Sequence, residues 1–283
     1  MNSEVVNSER RNKTVIFIMG AGHSGTTLLG LMLGAHPAVC FAGEAWNSTR
    51  LSTTDAQGRT VGCNFCTEGC PVWGDPLPST GPDLYEVLAR RCGRPFVVDS
   101  TKAVGWIDQQ TALLPGAVHR HLVVLARDGR AVVNSLLRKY PDARPAVLAA
   151  EWVAQMRRTE DLAARWPGTV SRVHYEDIAT HPEDVLSHLS ATLGFSFLPA
   201  MLDPWLSVQH PLGGNAGTQY IVARERAARS PGRPVNLKRT ERAYYLGHPP
   251  AIVLDLRWRE EMSEPALRAF DAIAGETNAP YAR

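Results

Sequence analysis

The sequence predicts a single α/β domain with a central parallel sheet flanked by helices. Three observations predict it. Short β-branched and apolar runs alternate with segments of helical periodicity. The first such run ends in a glycine-rich turn that opens a helix. A chain of 283 residues, 44% hydrophobic and 20% charged, also has the length and composition to bury a large core without staples.

The elements follow in order. Residues 1–13 are polar and read as a disordered tail, with the domain spanning 14–283. Val15–Gly20 is a buried strand. A helix runs from Thr26 to about Ala35, with Leu28, Leu29, Leu31, Met32 and Leu33 as its apolar face and His36-Pro37 as its stop. Val39–Ala42, Phe96–Val98, His121–Ala126 and Thr169–Tyr175 are further strands. Gly129–Lys139, Ala146–Trp166, Pro182–Leu193 and Glu264–Gly275 are further helices. Residues 46–82 and 207–250 carry many Gly and Pro, with little periodicity, and read as irregular segments over the functional face.

Charge excludes some functions. The chain has 30 Lys and Arg against 28 Asp and Glu, a net charge of +2. A protein that coats nucleic acid needs a basic excess, so no nucleic-acid partner is expected. A local basic pocket for a small anion remains compatible. No run reaches the roughly 18 apolar residues of a membrane span, and Val15–Met19 is too short for a secretory core. Five cysteines without a secretory signal imply reduced thiols and a cytoplasmic protein. Oligomeric state is not legible.

The segment from Val15 to Leu29 carries the most chemistry. Gly20 and Gly25 stand five apart with Thr26-Thr27 following, a Walker A frame in which Thr26 replaces the lysine. This is a P-loop-type arrangement. Glycines let the backbone approach an anion, and the amides of the new helix point at it. The missing ammonium weakens a nucleoside-triphosphatase reading.

Ser24-Gly-Thr-Thr-Leu-Leu29, Ala35-His-Pro37, Gly43-Glu44, Cys70-Pro-Val-Trp73, Val98-Asp-Ser-Thr-Lys102, Leu125 to Ser135 and His174-Tyr-Glu-Asp177 follow one another in order. In this the chain resembles sulfotransferases that use 3′-phosphoadenosine 5′-phosphosulfate (PAPS), closest to the bacterial branch related to the tyrosylprotein enzymes. The resemblance covers about two thirds of the chain and fades after residue 200. It implies transfer of a sulfuryl group from PAPS to a hydroxyl or amine of a small-molecule acceptor, with adenosine 3′,5′-bisphosphate as the product. It also implies that Gly22, His23, Ser24, Gly25, Thr26 and Thr27 bind the donor.

Arg127 ends a strand at the carboxyl edge of the sheet, where open α/β folds bind ligands. With Ser135 it is implied to hold the 3′-phosphate. Arg233 echoes a further basic residue there, and Arg130 is a weaker candidate. Glu44 matches the relatives' catalytic base, with His23 as rival. Lys102 is the implied cation at the bridging oxygen. The relatives usually carry Arg or Lys where His23 stands, which replaces a fixed cation by a titrating group. Ser100 would assist, Asp99 would orient its loop, and Tyr175 would support the nucleotide or serve as core. Trp46, Trp73 and Trp106 are candidates for an acceptor pocket or the core.

PAPS is already activated, so no metal is expected in the chemistry. Cys63-x₂-Cys66-x₃-Cys70 invites a zinc reading with Cys40 or Cys92 as fourth ligand, against plain thiols in an acceptor-side loop. Two other functions stay open, a P-loop nucleotide kinase or hydrolase and a non-catalytic nucleotide-binding module.

Overall fold

A computed structural model describes residues 10–53, 61–66, 69–74, 83–228, 235, 237 and 239–283. Five parallel strands form one sheet: β1 (Thr14–Met19), β2 (Val39–Gly43), β3 (Phe96–Asp99), β4 (His119–Ala126) and β5 (Thr169–His174). Their order is β2-β3-β1-β4-β5. All six residues of β1 are buried, as a central parallel strand covered on both faces requires. Its register sets Ile16 opposite Val98 on one side and His121 on the other. The chain moves outward from β1 to one edge, then crosses to the other side with β4. The crevice at the carboxyl end of β1 is therefore a topological switch point, where such sheets bind ligands.

The helices are α1 (Thr26–Gly34), α2 (Asp83–Cys92), α3 (Val104–Leu113), α4 (Gly129–Lys139), α5 (Pro145–Ala164), α6 (Tyr175–Thr180), α7 (Pro182–Leu193), α8 (Ala216–Ala227), α9 (Arg239–Gly247), α10 (Trp258–Glu261) and α11 (Glu264–Asn278). One core cluster follows the sheet with α1, α2 and α7, and Phe17 meets Tyr85 and Trp166 edge-on within it. A second cluster joins α4, α5 and α11 through Val132, Trp152, Met156 and Phe270.

Three expectations change. Arg11 and Asn12 are not frayed. Their amides donate to the Glu86 carboxylate at 3.0 and 2.9 Å, while residues 1–9 lie outside the described residues. The segment 207–250 holds two helices, α8 and α9, the first capped by Asn215 accepting from the Thr218 amide. Cys40 on β2 and Cys92 at the end of α2 form a disulfide, so reduced thiols are wrong for that pair. The 52-residue separation hid an approach of 6.1 Å between their Cα atoms.

Candidate active site

A cleft of about 950 Å³ opens at the carboxyl end of β1 and β4. Its wall brings together Gly22, His23, Gly25, Thr26, Thr27, Glu44, Lys102, Arg127 and Ser135, which lie far apart in sequence. Among the described residues, five cations line it, Lys102, Arg127, Arg138, Lys139 and Arg257, against the carboxylates Glu44 and Asp255. That excess suits a polyanion even though the whole chain is nearly neutral.

The loop between β1 and α1 is built for an anion. Gly25 takes the N-cap position at φ 96 and ψ 10, and no side chain caps the helix. The first-turn amides of α1 therefore have no side-chain acceptor at that end. A Cβ on Gly25 would lie 2.9 Å from the Tyr175 ring, so only glycine fits there. Ser24 is buried, its Oγ has no partner, and it lies behind the loop instead of on the cleft wall. The Thr27 hydroxyl accepts from the Asn215 amide at 2.9 Å.

His23 adopts φ 66, unusual for a residue other than glycine. Its carbonyl then accepts from Arg127 Nη1 at 2.9 Å, and its Nδ1 shares a 2.9 Å hydrogen bond with Ser135 Oγ. Burial first, and then the nearby charges of Lys139, Arg127 and Lys102, pull the imidazole pKa down to about 4. A pKa that low leaves the ring neutral at pH 7.

Arg127 is 6% exposed and its guanidinium stacks on Tyr175 at 4.2 Å. Nη2 pairs with Asp255 at 3.3 Å, while Nε is buried without a partner. The turn beneath it is fixed by Asp128, which takes Arg130 as its ion pair at 2.6 Å and accepts from Asn278 at 3.2 Å. Arg130, stacked on Trp258, is thereby committed away from the cleft, and Arg127 is left to face it. Arg233 lies outside the described residues.

Across the cleft, Lys102 Nζ donates to Glu44 Oε1 at 2.7 Å and to the Ser100 carbonyl at 3.3 Å. The Glu44 amide is tied to the Leu212 carbonyl at 2.7 Å. Asp99 stands behind this pair, wholly buried. It accepts from the Ala45 and Thr101 amides, from Tyr85 Oη and from Trp106 Nε1, at 2.8–3.1 Å. It ties the loop after β2 to the loop after β3. Ser100 is buried and does not reach the cleft.

None of Trp46, Trp73 and Trp106 lines the cleft. Trp205 does, beside Leu28, Ile221 and Tyr245. No local pattern marks this apolar wall, nor the part of the lining where Arg257 stacks on Tyr244 at 4.1 Å. The zinc reading also changes in its fourth ligand. His210 joins Cys63, Cys66 and Cys70, while Cys40 and Cys92 bond to each other.

The sequence matches a model of the sulfotransferase family over residues 15–64. A putative protein-tyrosine sulfotransferase of Caenorhabditis briggsae is 25% identical over 198 residues, covering 66% of this chain and 68% of that protein. The chain spans about two thirds of the length of the curated relatives it matches. Among solved structures, the sulfotransferase domain of the Synechococcus PCC 7002 olefin synthase is similar, with TM-score 0.56 at 19% identity over 94% of this chain and 96% of that one. A mouse sulfotransferase complexed with PAP is similar with TM-score 0.50 at 12% identity over 99% and 94% of the two chains. At these identities the structural likeness speaks to the fold alone.

Proposed function

We propose that this chain, which matches the sulfotransferase-family model over residues 15–64, is a sulfotransferase that moves a sulfuryl group from PAPS to a hydroxyl or amine of a small-molecule acceptor. The observation that carries the reading is the Glu44–Lys102 pair at 2.7 Å, facing an uncapped helix terminus across a basic cleft.

Each part of the chemistry has a candidate residue. The amides at the start of α1 would take the oxygens next to the transferring group. Arg127 Nε, buried without a partner, and Ser135 Oγ would meet the 3′-phosphate. Glu44 would accept the acceptor's proton as its oxygen attacks sulfur. The new S–O bond forms as the bridging S–O bond to phosphate breaks, and Lys102 offsets the charge left on the phosphate oxygen. Neutral His23 would serve as a hydrogen-bonding group beside the sulfuryl oxygens, not as a fixed cation. No metal is needed in these steps, since amides and side-chain cations meet the charge.

The acceptor would lie against Leu28, Trp205, Ile221 and Tyr245, a wall suited to an apolar or aromatic body. A nucleotide kinase or hydrolase is not favoured, because Thr26 stands where the Walker lysine would be. Cytoplasmic placement stays part of the proposal. Among the described residues, no helix is long and apolar enough to cross a membrane.

Glu44→Gln tests the base. It keeps shape and hydrogen bonding but takes no proton, so kcat should fall about 10²- to 10⁴-fold with bisphosphate affinity retained. His23→Arg should stay active. Near-parental turnover by Glu44→Gln with an inactive His23→Arg would make His23 the base.

A further inference from the structure

We infer that Cys63, Cys66, Cys70 and His210 form a closed structural site for one zinc ion, separate from the cleft. The four ligand atoms all lie within 4.8 Å of one another. The three sulfurs stand 3.7, 3.2 and 3.6 Å from His210 Nδ1. Zinc–sulfur bonds of about 2.3 Å and zinc–nitrogen bonds of about 2.0–2.1 Å put S and N about 3.6 Å apart on a tetrahedron. The side chains thus already stand at the spacing of a tetrahedral ion's ligands.

Two further features point the same way. The Trp73 amide donates to the Cys70 sulfur at 3.4 Å. Such donors hold thiolates in place around a metal. Three thiolates and a neutral imidazole around a dication leave one net negative charge. Arg226 lies beside the cluster, its charge acting on Cys66 while its Nη1 donates to the Gln209 carbonyl at 3.2 Å. Four protein ligands leave no open position, so the ion would hold structure instead of activating water.

What it would hold is the wall of the cleft. Asn64 donates to the Gly213 carbonyl at 2.8 Å, and the Asn64 amide to the Pro211 carbonyl at 3.2 Å. Leu212 pairs with Gly43 and Cys63, and its carbonyl takes the Glu44 amide. Three residues on, Asn215 reaches Thr27. A metal at His210 would therefore clamp the segment that positions Glu44 and the phosphate loop from behind.

The test reads metal, not turnover, so it stands apart from the sulfotransferase reading. The full chain is produced with zinc in the medium, dialysed without chelator and analysed for metals. About one zinc per chain is expected. Exchange with cobalt(II) should give thiolate-to-cobalt charge transfer and the visible bands of a tetrahedral ion. Cys66→Ser and His210→Ala should each cut zinc content at least tenfold, and Cys92→Ser should leave it unchanged. Wild-type protein without stoichiometric zinc, with iron in its place, or with a disulfide among Cys63, Cys66 and Cys70 would overturn the inference. Zinc retained in full by both ligand variants would do the same.

Discussion

Replacing Arg127 by alanine probes the cleft at its best-buried cation. Nη1 and Nη2 are engaged within the protein, by the His23 carbonyl and Asp255. Only Nε lacks a partner. Removing the side chain does not strand Asp255, which also pairs with Arg257 at 2.7 Å. The loss should therefore fall mainly on the bound dianion. Truncating one member of a buried, hydrogen-bonded charge pair costs about 2–4 kcal/mol. That converts to a roughly 30- to 700-fold weaker Kd for adenosine 3′,5′-bisphosphate. Calorimetric titration gives this number directly. The contact exists in ground and transition states alike, so KM should suffer more than kcat. Arg127→Lys keeps the charge but not the planar fork, and should fall between wild type and Arg127→Ala. A thermal melt checks that the variant keeps its fold after losing the Tyr175 stack. A folded Arg127→Ala variant with unchanged Kd would refute the assignment.

Two more outcomes follow from the same geometry. His23 and His121 both have pKa values lowered to about 4, chiefly by burial, so the unfolded chain binds protons that the folded chain refuses between pH 6.5 and 4. Stability is full above about pH 6.5 and is lost as pH falls toward 4, by about 2 kcal/mol for each histidine at pH 5. Urea unfolding at pH 7.5 and 5.0 should show His23→Gln losing less than wild type, and equal losses would contradict the burial argument. Gly25→Ala forces a side chain into φ 96 and against Tyr175, so it should destabilise by about 1–3 kcal/mol and abolish bisphosphate binding. A variant that binds normally would show that the loop does not need this shape.

The legible parts of the molecule were those with local signatures. Val15 to Thr27 reads as strand, loop and helix because apolar run, glycines and helix periodicity sit side by side. Arg127 is legible because it follows a strand, and strand ends in such a sheet face one crevice, whereas Lys102 is marked by the family resemblance. Nothing local marks His210, which meets Cys70 across 140 residues. Asp255 and Arg257 are hidden for the same reason, since they line the cleft from the irregular stretch between α9 and α10, and Tyr244 comes from α9 itself. The disulfide escaped because an edge strand and a helix end meet only once β2 has paired with β3. The helices α8 and α9 are hidden because Gly, Arg and Pro around them mask a weak apolar stripe, although Asn215 stands at the N-cap of α8. Arg130 shows the reverse. Its sequence position suggested an anion contact, and Asp128 two residues earlier holds it instead.

The most direct measurement is sulfur transfer itself. Purified protein is incubated with sulfur-35-labelled PAPS and a pool of phenols, alcohols, amines and a tyrosine peptide, with ATP in parallel. Labelled acceptor and adenosine 3′,5′-bisphosphate should appear in equal amounts, a small phenol or alcohol should be preferred over the peptide, and ATP should neither turn over nor compete. Consumption of ATP with no transfer from PAPS would contradict the proposed function.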